Sequence, residues 1–164
     1  MSAPPVPVLT TDRLRLRGWR ETDLAPMARM NADPEVMAYL GPPLGRRQSD
    51  MMVGRFLQKW QEEPRFGWWV VEDRVSGAFA GFAGLGEPDF EMPMGRCVEI
   101  GWRLARHVWG RGFATEAGRA CLAHGFGSVA LDEIVAFTVP GNARSRAVMA
   151  RLGLSEVAEG AFDH

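Results

Sequence analysis

The spacing of hydrophobic residues changes between a period of two and a period near 3.6 along the chain, so both strands and helices are expected. Leu14 and Leu16 alternate with arginines, which indicates a half-buried strand. Met52, Phe56 and Trp60 lie on one stripe of a later helix. In chain order, the first half predicts a strand over Arg13–Trp19, a helix opening at Thr22, a short helix over Glu35–Leu40 and a helix over Arg47–Gln61.

The second half of the chain predicts a hairpin followed by strands and helices in alternation. The hairpin joins Trp68–Glu72 to Ala78–Leu85 through turn-forming residues. Strands follow at Cys97–Leu104 and Glu133–Val139, with a helix from the loop at Gly110 to about Val129 between them and a last helix over Asn142–Leu152. This order predicts an α/β (α+β) fold, with a single mixed, mostly antiparallel sheet and helices on both faces.

Length and composition fit one globular domain spanning residues 1–164. The chain has 164 residues, of which 46% are hydrophobic and 24% are charged, as is usual for a folded domain. The proline-rich start, Met1–Leu9, is expected to be a loose arm. The formal net charge of -1 gives no basic excess, so no nucleic-acid partner is expected.

The cysteines indicate neither a disulfide framework nor a zinc site. The chain has two cysteines, Cys97 and Cys121, which are too few for a disulfide framework or for a four-ligand zinc site. Cys121 and His124 are spaced like metal ligands on a helix, but no further ligand stands near them, so no metal is expected. No leader sequence or membrane-spanning apolar run is found. We therefore expect a reduced, cytoplasmic protein without a membrane partner.

A glycine-containing loop between a strand and a helix is the strongest chemical signal. Gly110 and Gly112 precede a helix whose first N–H groups are unpaired and carry the positive end of its dipole, which suits a pyrophosphate. Arg106 and Arg111 flank the loop and could reach phosphate oxygens. The dinucleotide fingerprint is not met, because Thr115 stands where a third glycine is required. A role in closing the loop alone is the alternative.

Three segments in this order and spacing resemble the GNAT superfamily of acyl-CoA-dependent N-acyltransferases: Val98–Leu104, Trp109–Ala117 and Asn142–Leu154. Leu9–Arg17 and the Asp33–Val36 step resemble its RimJ/RimL branch, named for enzymes that acetylate ribosomal-protein N-termini. The resemblance implies a GNAT fold, acetyl-CoA as cosubstrate and direct attack of a primary amine on the acetyl thioester. The amine would belong to a protein N-terminus or a small molecule.

The resemblance also implies which residues hold the cofactor. The family motif [RQ]-x-x-G-x-[GA], whose backbone amides bind the CoA pyrophosphate, falls here on residues 107–112, with histidine at its first position. Pantetheine is expected to pair with the backbone of a strand splayed from its neighbour. The cofactor-binding residues expected are Trp102, Arg103, Leu104, His107, Val108, Trp109, Gly110, Arg111, Gly112, Ala114, Thr115, Asn142 and Ser145.

Two residues are candidates for the proton transfers. Glu99, the only acid in its predicted strand, is the expected general base, directly or through water; an exposed glutamate paired with an arginine is the alternative. Many relatives place a tyrosine on the last helix as the acid for the thiolate, but Met149 stands there. Ser145, one turn earlier, could donate instead or could bond back to a helix carbonyl. Asn142 could equally be a helix cap, and a backbone N–H near Ile100 is expected to stabilise the oxyanion.

Two other functional classes remain open. Met149 favours a non-catalytic acyl-CoA-binding domain, and the loop alone would also suit a nucleotide-binding regulator. The acceptor is expected to contact Asp33–Arg47 and Glu87–Gly95, and the acids of the second segment fit a cationic acceptor.

The end of the chain predicts an incomplete sheet. The resemblance requires two strands after the final helix, and the sequence has room for one, at about Ser155–Phe162. The fold is therefore expected to lack its last strand. An open edge at Glu133–Val139 could then recruit a second copy of the chain as a homodimer.

Overall fold

Five strands and four helices form within residues 5–157, the part of the chain that the computed structural model describes. Short 3₁₀ turns stand before the first helix and before the glycine loop, at Glu21–Asp23 and Arg106–Val108. The elements are β1 Leu9–Thr10, β2 Leu14–Arg17, α1 Leu24–Ala32, α2 Arg46–Glu62, β3 Trp68–Asp73, β4 Phe79–Gly86, β5 Glu99–Leu104, α3 Phe113–Phe126 and α4 Ala143–Arg151.

The strands form an open sheet in chain order, and every neighbouring pair is antiparallel. Turn residues make this meander possible: the N–H of Gly77 donates to the carbonyl of Asp73 between β3 and β4. Within the described residues, the single parallel contact is an isolated bridge between Glu99 and Val135. The predicted mixed, mostly antiparallel sheet is confirmed.

Helices cover both faces of this sheet, as predicted. Phe113 and Cys121 of α3 are buried in the larger core, on one face. Met27 of α1 and Val53 of α2 pack with Phe82 in a second core on the other face. The site described below lies at β5, the strand at the edge of the sheet, between the helices that cover its two faces.

The arginine face of β2 is only partly exposed, which its alternating pattern did not predict. Arg17 is 6% exposed and donates to Asp23 at 2.8 and 2.9 Å and to Glu72 at 2.6 Å. Two carboxylates therefore compensate this buried guanidinium and tie β2 to β3 and to the start of α1.

The short helix predicted over Glu35–Leu40 is wrong, because these residues form turns. The carboxylate of Asp33 accepts from the N–H of Glu35 at 2.9 Å. Such a side-chain turn competes with helix formation, and Gly41 follows before a second helical turn can close.

Within the described residues, the strand predicted over Glu133–Val139 is reduced to one bridge, to Glu99 of β5. The N–H of Ile100 donates to the carbonyl of Val135, and the N–H of Val135 donates to the carbonyl of Val98. Beyond these bonds, no backbone bond joins the segment to β5 within the described residues. The neighbouring backbones separate there, as the resemblance implied.

Both ends of the chain extend outside the described residues. Leu9 pairs with Leu16, and the carbonyl of Pro7 accepts from the indole N–H of Trp69 at 2.7 Å. The predicted loose arm is therefore wrong for this part of Met1–Leu9. Of the predicted strand over Ser155–Phe162, residues 155–157 form no strand, and the rest lies outside the described residues. Pairing of a second copy at the open edge stays a prediction.

Candidate functional site

The glycine loop folds into a helix start suited to an anion. Gly110 and Gly112 have φ angles of 78° and 77°, a left-handed conformation that glycine adopts without steric cost. Gly112 is the N-cap of α3, and no side chain caps the helix. The N–H groups of the first helical turn are therefore available to a ligand, and the helix dipole favours a negative one.

Glu116 fixes this loop against the sheet. Its carboxylate accepts from the hydroxyl of Thr11 at 2.7 Å and from Nε of Arg13 at 2.9 Å. Nη1 of Arg13 donates to the carbonyl of Arg111 at 2.7 Å. Sequence reasoning missed these three positioning residues because their contacts join segments about a hundred residues apart.

A cleft of about 1090 Å³ opens in front of the loop. His107 and Arg111 do not line it, although they were expected to bind the cofactor. The side chain of Arg111 instead reaches Asp73 at 3.4 Å, and Arg106 pairs with Asp33 at 3.0 Å. The expected cofactor residues that do line this cleft are Trp102, Arg103, Leu104, Val108, Trp109, Gly110, Gly112, Ala114, Thr115, Asn142 and Ser145.

Arginines outside the motif line the same cleft. Arg119 comes from α3, and Arg144 and Arg151 come from α4. The guanidinium of Arg144 lies 3.9 Å from the centroid of the Trp109 ring, a cation–π contact. Sequence reasoning missed these cations, although the seven-residue spacing of Arg144 and Arg151 places both on one face of a helix.

A larger cleft of about 2180 Å³ meets the first one at β5. Asn142 and Ser145 line both clefts, and so does Tyr39, which sequence reasoning missed. The side chain of Asn142 accepts from the N–H of Ser145 at 3.2 Å and caps α4. Met149 lines only the larger cleft. The two clefts therefore adjoin at Tyr39, Asn142 and Ser145.

The edge of β5 opposite β4 lies where the two clefts adjoin, because Trp102 lines both. The N–H and C=O of one residue point to the same edge of a strand, and alternate residues share an edge. Because Ile100 bonds to Val135, Trp102 presents its N–H and C=O at the same edge, where no bond to the 133–139 segment is made within the described residues. An extended ligand can pair there. The N–H of Ile100 itself already donates to Val135, so an oxyanion donor near Ile100 must be another N–H of this strand.

Glu99 stands at the start of β5, half-buried in the wall of the larger cleft. Burial, followed by the nearby charge of Asp89, raises the pKa of Glu99 to about 7. The alternative pairing with an arginine is not made within the described residues. A carboxyl group that exchanges its proton near neutral pH suits general base catalysis.

Replacing Glu99 with glutamine is expected to change the pH dependence of stability. The folded carboxyl keeps its proton up to a pKa of about 7, whereas an unfolded glutamate releases it near 4.3. Wild-type stability therefore falls as pH rises between these values. In thermal melts, Glu99→Gln should exceed the wild-type Tm at pH 8 and match it near pH 4.

The matched control is Glu87→Gln, which changes an exposed glutamate on the same cleft. Its Tm difference from wild type should be small at both pH values. An equal Tm difference for Glu99→Gln at pH 4 and pH 8 would contradict the burial of a titrating carboxyl group.

Two of the three acids expected to attract a cationic acceptor, in the segment that holds Glu87, Asp89 and Glu91, make ion pairs. Glu87 pairs with Arg96 at 2.9 Å, and Asp89 pairs with Lys59 at 3.1 Å. Both segments expected to contact the acceptor do line the larger cleft, through residues such as Tyr39 and Glu87. The charge of the loop therefore gives little support for a purely cationic acceptor.

No group of three or more potential metal ligands is found within residues 5–157. Cys121 is fully buried in the core, and burial raises the pKa of its thiol to about 12. Nε2 of His124 lies 2.7 Å from the carbonyl of Arg65. Packing and hydrogen bonding thus account for both residues. In the same part of the chain, no helix combines the length and apolarity needed to cross a membrane.

Comparison with known proteins agrees with this geometry. A family model described as an acetyltransferase (GNAT) domain matches residues 13–155. The chain belongs to the GNAT acetyltransferase family, and it is an acetyltransferase that uses acetyl-CoA as cosubstrate.

Two curated relatives illustrate this membership. The chain is 34% identical to the uncharacterized protein YkkB of Bacillus subtilis, over 89% of this chain and 84% of the relative. It is 30% identical to the FsC-acetyl coenzyme A-N(2)-transacetylase of Aspergillus fumigatus, over 96% of this chain and 68% of the relative.

Solved structures share the fold. An acetyltransferase from Agrobacterium tumefaciens matches with a TM-score of 0.80 and 26% identity, over 93% of this chain and 86% of that one. A spermidine N-acetyltransferase from Vibrio cholerae, solved in complex with CoA and spermine, matches with a TM-score of 0.69 and 20% identity, over 87% of this chain and 81% of that one. The predicted GNAT fold is confirmed.

Proposed function

We propose that this acetyltransferase transfers the acetyl group to a primary amine by direct attack where the two clefts meet. The observation that carries this proposal is that the loop cleft and the larger cleft share Trp102, Asn142 and Ser145. An anion held at the start of α3 and an amine beside Glu99 would then lie on the two sides of one junction.

The chain's own groups suit the parts of acetyl-CoA. The first N–H groups of α3 would hold the pyrophosphate, and Arg119, Arg144 and Arg151 would balance further phosphate charge. The free edge of β5 at Trp102 would pair with pantetheine. Bound in this way, acetyl-CoA supplies the thioester carbonyl that the amine attacks.

Glu99 would act as the general base. It takes a proton from the ammonium of the acceptor, directly or through one water, and the freed amine forms the C–N bond as the C–S bond breaks. The attacking nitrogen releases its second proton to solvent and the leaving thiolate gains one, so the products are an N-acetylated amine and the free thiol of CoA. The N–H of Trp102, unlike that of Ile100, has no partner within the described residues and would donate to the oxyanion or to pantetheine.

Ser145 is the proposed donor to the leaving thiolate. Its half-buried side chain lines both clefts, whereas the methionine at position 149 cannot donate a proton. A thiol with a pKa near 8.5 leaves readily without help. Ser145→Ala is therefore expected to lower kcat by about tenfold or less.

The matched control is Ser128→Ala, which changes an exposed serine that lines neither cleft. Steady-state rates at saturating acetyl-CoA measure both variants. If kcat for Ser145→Ala equals that of wild type and of Ser128→Ala, Ser145 is not the proton donor, and solvent protonates the thiolate.

The test of the proposed function is release of free thiol from acetyl-CoA with a panel of amines. The panel includes peptides with free N-termini, because we propose membership of the RimJ/RimL-like branch from the motifs at Leu9–Arg17 and Asp33–Val36. We also propose a cytoplasmic location, since two cysteines give no disulfide framework. Thiol release with one acceptor supports transfer. CoA binding without release on any amine would support the non-catalytic alternative, and tighter binding of ATP or NAD than of CoA would support a nucleotide-binding regulator.

A further inference from the structure

Arg103 is a half-buried cation that has no acidic partner within the described residues. On β5, its Nη1 donates to Oδ1 of Asn31 at 2.8 Å and contacts Sδ of Met52 at 3.7 Å. Its guanidinium lies 5.3 Å from the centroid of the Phe82 ring. Nε is buried and has no hydrogen-bond partner, and burial lowers the pKa of this guanidinium to about 10.

This arrangement differs from that of Arg17, which is fully buried. Two carboxylates compensate Arg17, whereas Arg103 makes no ion pair within the described residues. Buried charges in proteins are normally paired, because an unpaired charge loses its hydration without compensation. The surroundings of Arg103 therefore lack an anion.

Neighbouring side chains hold this guanidinium in place. Nδ2 of Asn31 donates to Oγ of Ser49 at 2.9 Å, and both residues are fully buried. This bond fixes the amide so that its oxygen faces Arg103. The guanidinium is therefore positioned in advance. Its Nη2 makes no hydrogen bond within the described residues and is not among the buried atoms, so it is the nitrogen that can meet a ligand.

The position of Arg103 connects it to the acceptor. It lines both clefts and lies on the same strand face as Glu99, four residues earlier, with Cα atoms about 13 Å apart at the usual strand rise. Gly101 lies between them, and a Cβ built there would be 3.0 Å from the Trp68 ring. Trp68 and Phe56 provide an apolar wall to the cleft.

We propose that Arg103 binds a carboxylate of the acceptor, so that the substrate is an amino carboxylic acid whose amine and carboxylate are separated by several bonds. The inference rests on the proposed function, which places the amine beside Glu99. The compensated charges of Glu87 and Asp89 fit such an acceptor, because a zwitterion brings no net positive charge to the cleft.

The experiment compares ω-amino acids with n-alkylamines of the same chain length. The wild-type enzyme should show a kcat/KM about 10- to 100-fold higher for the carboxylated member of the best pair, as expected for one charge-assisted hydrogen bond. In Arg103→Met this ratio should fall to near one. Asn31→Asp should also lower this ratio, because the new carboxylate would pair with Arg103 and compete with the carboxylate of the substrate.

Product binding keeps the test independent of turnover. Calorimetric titration of the CoA-bound enzyme with N-acetyl ω-amino acids and N-acetyl alkylamines should show the same preference, again lost in both variants. Absence of thiol release with every amine would overturn the proposed function, while this binding preference would still decide the role of Arg103.

Two results would overturn the proposal. One is a wild-type ratio near one in both measurements. The other is a ratio that persists in Arg103→Met and Asn31→Asp. If acetyl-CoA affinity also fell in Arg103→Met, the guanidinium would bind the cofactor instead of the acceptor.

Discussion

Replacing Gly110 with valine is expected to weaken acetyl-CoA binding by about 100-fold. The φ angle of 78° at this glycine costs an L-residue with a side chain roughly 1–2 kcal/mol. A loop that relaxes to avoid this strain turns its N–H groups away from the phosphates, and a lost charge-assisted hydrogen bond costs about 1.5–3 kcal/mol. Calorimetric titration with acetyl-CoA measures the effect.

Gly77→Val is the matched control. Gly77 has a φ angle of 71° in the β3–β4 turn, and a Cβ would meet no atom within 4 Å at Gly77 or at Gly110. Both variants therefore carry the same backbone strain, and similar losses of Tm are expected. Acetyl-CoA affinity should fall only in Gly110→Val; an unchanged Kd in that variant would contradict the pyrophosphate site.

Glu99→Gln is expected to lower kcat/KM by about 100- to 10,000-fold near neutral pH, the usual contribution of a general base. Wild-type kcat/KM should rise with pH through about 7 as the Glu99 carboxyl loses its proton. Because glutamine does not titrate, the variant should show no such rise in kcat/KM. Its deficit should shrink at high pH, because the acceptor then loses its proton unaided, and should be larger for a lysine-like amine than for an α-amine.

Glu133→Gln is the control for this variant, since it removes an exposed acid from the same cleft. It should retain nearly full activity, and acetyl-CoA affinity should change little in either variant. Equal activity of Glu99→Gln and wild type from pH 6 to pH 9 would remove Glu99 from the mechanism.

The sequence predicted the parts of the fold that depend on local patterning. Alternation identified β5, where Ile100 and Leu104 face the larger core. The glycines before α3 were predicted to shape the loop, and both adopt positive φ angles. These features follow from the residues themselves, so tertiary contacts were not needed to find them.

Features that depend on distant contacts were not predictable in this way. The alternating pattern predicts that Arg17 and Arg103 both lie on the polar face of a strand. In the structure, however, Arg17 donates to two carboxylates and Arg103 donates to Asn31. The separation of the 133–139 segment from β5 leaves one bridge where the hydrophobic pattern indicated a strand. The partial burial of Glu99 likewise depends on its neighbours in the fold, Gly86 on β4 and Val135 beyond α3.

The central claim is that the chain moves an acetyl group from acetyl-CoA to an amine at the junction of two clefts. Mass spectrometry of an amine panel incubated with enzyme and acetyl-CoA, combined with thiol titration, tests it most directly. We predict one N-acetylated product formed in equal amount to free CoA, and greatly reduced product with Glu99→Gln. CoA release without any acetylated amine, or product formation unaffected by Glu99→Gln at neutral pH, would contradict the account.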